Sequence, residues 1–144
     1  MPQEKTVKRA RKAKKEGKAP SSQAGEFVRE EIHHVREGKH GARSAKQAIA
    51  IGLSKARRAG VKLPAPEKGE APEKTRKAAK SALKKAGKKP SATRSRARKK
   101  ALKREPRKAA SKAALSRQAR AAAAKRTKAE RSASAKKAAR TRKK

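Results

Sequence analysis

The chain has no cysteine, no tryptophan, no tyrosine and a single phenylalanine. Without cysteine, disulfides and thiolate metal sites are excluded, and a reducing cytosol is compatible. Without aromatic rings there is little to stack on unpaired bases, which argues against a reader of single strands. No run of 18 apolar residues occurs, so the sequence offers nothing to span a membrane. The first twenty residues are positive but have no apolar stretch behind them, unlike a secretory signal, and Glu4 and Glu16 interrupt any transit-peptide pattern. Large apolar residues are scarce and concentrate between Phe27 and Leu63. Low hydrophobicity with high net charge is the composition of disorder and does not support one large core.

What the chain has is positive charge. Lys and Arg number 48 against 11 Asp and Glu in 144 residues, a formal net charge of +37. A compact chain of this charge repels itself and calls for a polyanion. The charge is uneven. Residues 1–20 carry eight basic and two acidic residues (+6), residues 21–63 nine and four (+5), and residues 64–144 thirty-one and five (+26).

Four segments follow from this. Residues 1–20 read as a disordered basic arm. Within 21–63, Val28, Ile32 and Val35 recur at helical spacing beside Phe27, and Gly38 is a natural stop, which predicts a helix over about 23–37. Ser44 and Gln47 form a capping box, and Ala45, Ala48, Ile49, Gly52, Leu53 and Ala56 make an apolar face ended by Gly60. A second helix is therefore expected over about 45–59. The fold class expected is all-α, a short helical hairpin flanked by largely disordered or conditionally helical basic arms. Its large apolar side chains are too few to stabilise it well alone, so a homodimer through the hairpin, or a partner, is expected to complete it. Residues 64–73 form a Pro/Glu linker. Residues 74–144 are a low-complexity Ala/Lys/Arg tail of high helix propensity, divided by Pro90 and Pro106. Leu83, Leu102 and Leu115 are its only large apolar residues, so its helices are expected to lack a packing surface and to form on phosphate.

The tail is the strongest functional signal, because cationic side chains displace condensed counterions from a phosphate backbone. The residues assigned to nucleic acid are Lys39, Arg43 and Lys46 around the interhelical loop and Arg57 and Arg58 at the end of the second helix. In the tail they are Arg76, Lys77, Lys80, Lys84, Lys85, Arg94, Arg96, Arg98, Lys99, Lys100, Arg107, Lys108, Lys112, Lys125, Arg126, Lys136, Lys137 and Arg140. The loop Gly38–Ser44 precedes a helix N-terminus. It reads either as a phosphate cradle of free amides beside Lys39, Arg43 and Lys46 or as an ordinary cap and turn. Gln47 and Lys46 sit where a groove-reading helix would carry them, but the capping box already accounts for Gln47. His33, His34 and His40 do not make a metal site on this reading. Adjacent helical histidines diverge by about 100°, and Glu30 and Glu37 are better placed for ion pairs. No catalytic constellation appears, so an enzyme and a cofactor are not expected.

Two resemblances add to this. The tail is similar in composition to the C-terminal domain of linker histones and to bacterial histone-like nucleoid proteins. The segment from Gly25 through Val35 to Ser54, with Ser44-Ala45-Lys46-Gln47-Ala48-Ile49-Ala50-Ile51, resembles a family of small, very basic bacterial proteins of unknown function. That resemblance covers about residues 20–65. It implies a bacterial source and DNA binding and transfers no site residues. The expectation is a cytoplasmic, nucleoid-associated protein that binds duplex DNA without sequence preference. An RNA- or ribosome-associated protein is the second reading, and a binder of a protein partner localised by its tail is the third.

Overall fold

The computed structural model describes residues 2–142. Met1, Lys143 and Lys144, the extremes of the expected arm and tail, lie outside them. The described residues hold seven α-helices and one 3₁₀ turn, joined by loops.

The first helix, α1 (Glu4–Lys15), lies within the arm expected to be disordered. Its buried residues, Thr6, Ala10 and Ala13, recur at i, i+4 and i+7 and make one narrow stripe against the next helix. That helix, α2 (Pro20–Arg36), opens with proline, whose missing N–H costs nothing in the first turn. It ends on Gly38, which takes the left-handed conformation (φ 73°) so that Lys39 N–H reaches back to His34 O at 3.0 Å. The third, α3 (Ala45–Arg58), is capped by Ser44 Oγ, which accepts from Gln47 N–H at 3.2 Å. Gln47 Oε1 in turn accepts from Arg43 N–H at 2.7 Å. The box thus closes one residue earlier than the usual reciprocal pattern.

The pairing of α2 with α3 is the centre of the molecule, and a glycine permits it. A Cβ on Gly52 would lie 2.6 Å from Val28 Cα, so the two backbones meet where α3 has no side chain. On one side of this pair α1 adds Ala10 to Ala24, Phe27, Ala56 and Val61, with Val7, Leu53 and Leu63 at the margin. On the other, Ile32, Val35, Ala42 and Ala48 are covered by Ala109 and Ala110 from the tail, with Val28 and Leu115 alongside.

The tail is folded. Helix α4 (Glu73–Lys84) buries Ala79 and Ala82 and packs on α3. Gly87 N–H donates to Arg58 O at 2.9 Å just beyond it. Helix α5 (Ala92–Lys103) buries nothing, but its last turn and the chain leaving it dock on the α2–α3 loop. There Gly41 N–H donates to Leu102 O (2.8 Å) and Ala42 N–H to Pro106 O (3.0 Å). The turn Lys108–Ala110 then fills the second core, and α6 (Lys112–Ala124), capped by Ser111 Oγ on Ala114 N–H, follows it. Helix α7 (Lys128–Arg142) buries nothing. Its start is a full capping box, in which Thr127 Oγ1 accepts from Glu130 N–H and Glu130 Oε2 from Thr127 N–H.

The expected hairpin with disordered arms is therefore incorrect: the described residues form an all-helical fold of seven α-helices that engages both arm and tail. The expectation failed because it counted only large apolar side chains. Alanine buries little area, yet it lets backbones come close, and Ala10, Ala79, Ala82, Ala109 and Ala110 are the residues by which arm and tail attach. The covering that the hairpin needs comes from the same chain, which removes the motive given for a homodimer. No described helix is long and apolar enough to cross a membrane.

Candidate nucleic-acid interface

The folded frame sorts the cations by what each can reach. Arg57 is buried, and its guanidinium is occupied: Nε donates to Leu63 O at 3.2 Å and Nη2 to Pro64 O at 2.9 Å. Burial pushes its pKa below the usual arginine value. It holds the segment after Gly60 and offers nothing to a phosphate. Arg58 and Arg76 are half-buried, and Arg76 Nε leans on Pro66 O. Lys39, Arg43, Lys46, Lys77, Lys80, Lys84 and Lys85 are exposed. Of these, Lys39 pairs with Glu37 (2.8 Å), holding that carboxyl below its ordinary value, and Lys77 pairs with Glu73 (2.8 Å). Such exposed pairs are weak and yield readily to a phosphate.

The remaining assigned residues are all exposed. Arg94, Arg96, Arg98, Lys99 and Lys100 lie on α5, and Lys136, Lys137 and Arg140 on α7. Because neither helix buries a residue, each presents cations on every side, joined by Lys103 on α5 and by Lys128, Arg131 and Arg142 on α7. Arg107, Lys108 and Lys112 flank the 3₁₀ turn, and Arg107 lies over Gly38. Lys125 and Arg126 sit between α6 and α7, where Arg126 Nη2 donates to Glu130 O and Ser134 Oγ. Glu130 is held below the ordinary carboxylate range, chiefly by the Thr127 backbone N–H. Among the described residues, Arg107, Lys108 and Lys112 share one shallow hollow with Arg36, and the other assigned cations are spread over exposed helices.

The loop before α3 is occupied. The N–H groups of Gly41, Ala42 and Arg43 already donate to Leu102 O, Pro106 O and Gln47 Oε1, and Glu105 Oε1 stands 3.8 Å from Arg43 Nε. Of the two readings of this loop, the cap and turn fits. The loop amides of Gly41 and Ala42 are taken by tail carbonyls and that of Arg43 by Gln47, so these three are not free to cradle a phosphate.

Sequence reasoning missed a buried polar group at the other end of this loop. Glu31, on α2, is fully buried and carries Lys55 of α3 on Oε2, while His40 Nε2 lies 2.8 Å from Oε1. Glu30 is buried beside it, accepts from Gln3 N–H at 3.1 Å, and stands 3.7 Å from His34 Nε2. His34 has its pKa lowered, first by burial and then by the Lys55 charge. His33 is exposed. Arg36 was also missed: its Nε donates to Ala110 O at 2.9 Å and ties α2 to the tail. No period links these residues along the chain, so only Ser111 and the Thr127-x-x-Glu130 spacing were signals open to earlier detection.

Residues 3–68 match a family of unknown function (DUF6496). No curated protein and no solved structure matches the chain. The match corrects the resemblance read from the sequence. It begins at residue 3 and so takes in α1, making the matched unit three helices instead of a hairpin with a free arm. It stops before α4, and nothing in the match extends the linker-histone likeness to the tail. The family's function is unknown, so neither a bacterial source nor DNA binding transfers from it.

Proposed function

We propose that this protein binds duplex DNA without sequence preference, as a histone-like, nucleoid-associated protein that neutralises and bridges backbone phosphates. The observation that carries the reading is the +37 charge, combined with two helices, α5 and α7, that bury none of their residues. A helix with cations on every side follows a phosphate backbone at any rotation and reads no base edge. The near absence of aromatic residues supports a duplex over a single strand.

Salt titration of the affinity for a random duplex is the test. The log–log slope approaches about −0.9 per phosphate engaged, so about ten contacts give a slope near −9. A slope near −2 would sink the reading. Competition with structured RNA at equal phosphate concentration decides the polymer: if RNA displaces the duplex, the protein belongs with RNA or ribosomes.

A further inference from the structure

From the cluster formed by Glu31 and His34 of α2 and His40 of the α2–α3 loop, we infer a binding site for one divalent transition-metal ion of the zinc type. One ligand atom from each residue lies within 4.8 Å of the others. Glu31 and His34 are three apart on one helix and share a face. Gly38 reverses the chain so that His40 returns to that face, and the two imidazoles stand edge to face with centroids 6.2 Å apart. Two imidazoles and a carboxylate suit zinc and its neighbours in the first transition row.

The hydrogen bonding at the cluster supports this independently. His40 Nδ1 lies 2.9 Å from Gly41 O, a carbonyl that can only accept, so Nδ1 carries the hydrogen. In a neutral ring Nε2 then presents a bare lone pair. What it faces, at 2.8 Å, is Glu31 Oε1, a buried carboxylate oxygen with no hydrogen-bond donor of suitable geometry. Two electron pairs would then confront one another unless positive charge lies between them, either a second ring proton or a bound metal ion. Metal–ligand bonds of about 2.1 Å at the tetrahedral angle put two ligand atoms about 3.4 Å apart, so Nε2 and Oε1, now 2.8 Å apart, would part slightly to admit the ion. Glu30 Oε2 beside them is also buried without a partner. These orphaned carboxylate oxygens stand in a chain with 48 basic residues that could have satisfied them.

The surroundings suit the ion. Lys55 holds Glu31 Oε2 and leaves Oε1 as a single-oxygen ligand. Glu30 and Glu31 face Lys55 and Lys39 around His34, so two carboxyl groups offset two ammonium groups here, within a strongly basic molecule. The side chains of His34 and His40 are 13% and 12% exposed, which gives the ion a path in from solvent. His34 also contacts Gln3 Nε2 at 3.2 Å, a contact that yields or turns its amide oxygen inward on binding. The ion would fasten the α2–α3 loop to α2, beside the amides that receive the tail.

The test is titration of the full, chelator-treated chain with Zn²⁺ against a chromophoric competitor, together with the visible spectrum of the Co²⁺ form. We expect one saturable equivalent at micromolar affinity or tighter and Co²⁺ ligand-field bands. His34→Ala and His40→Ala should each weaken binding by about 10-fold or more, and His33→Ala should leave it unchanged. Since the alanine variants could lose structure, ¹⁵N spectra of the wild-type imidazoles provide a second reading. Zn²⁺ should shift the ring nitrogens of His34 and His40 and leave those of His33. Binding only at millimolar Zn²⁺, equal dependence on His33, or a His40 ring protonated on both nitrogens and unmoved by Zn²⁺ would overturn the site.

Discussion

Glu31 and Lys55 make the clearest case of a single pair on which the fold depends. Glu31 has no exposure to speak of, whereas the Lys55 side chain is 25% exposed. The two partners should therefore differ when removed. Lys55→Met strands a carboxylate away from water and should cost about 3 kcal/mol in the metal-free protein. Glu31→Met leaves an ammonium that can turn to solvent and should cost clearly less. Urea denaturation with a chelator present reads both, and equal losses would contradict the burial asymmetry. Little at this scale was legible in the sequence. Glu31, His40 and Lys55 come together only because a helix, a glycine reversal and a second helix intervene. Arg57 looked like one more cation, yet the fold-back of Val61 to Pro64 turns it into a donor to two carbonyls.

Helices α2 and α3 were legible as elements, because period, caps and glycine stops agree within each. The sequence places helices over 23–37 and 45–59, and the structure has Pro20–Arg36 and Ala45–Arg58. The helical surroundings were not legible, since an alanine stripe within a lysine-rich helix carries no large-residue periodicity. The way α2 and α3 cross yields a paired prediction. Gly52→Ala drives a methyl into Val28 and should destabilise the protein by about 1–3 kcal/mol. Gly25→Ala, inside α2 with open space around it, should stabilise by about 0.4–1 kcal/mol. Thermal melts of the two variants should move in opposite directions, and the same sign for both would contradict the close crossing.

The whole molecule holds together against its own charge, and this sets how it responds to salt and to truncation. Added sulfate screens the repulsion and binds the folded surface, so the melting temperature should rise with sulfate concentration. A flat response would mean that self-repulsion is not a significant opposing term. Ending the chain at Thr127 removes α7, which buries nothing, and should leave the melting temperature within a few degrees while making the salt dependence of DNA binding less steep. Ending it at Pro90 strips Ala109, Ala110 and Leu115 from Ile32 and Val35 and should lower the melting temperature markedly. If both truncations melt alike, the tail does not cover the second core.

The bond from Arg36 to Ala110 spans 74 residues, and it imposes an order on biogenesis. At about 5–20 residues per second, a ribosome needs roughly 4–15 s to make the intervening chain. Once α3 is made within that interval, it pairs with α2 while Ile32 and Val35 stay open and the cations of α4 and α5 emerge beside them. The nascent protein therefore passes through a period as a half-covered apolar surface tethered to the polyanion that is making it. How it is escorted through those seconds bears on its yield as much as the stability of the finished fold does.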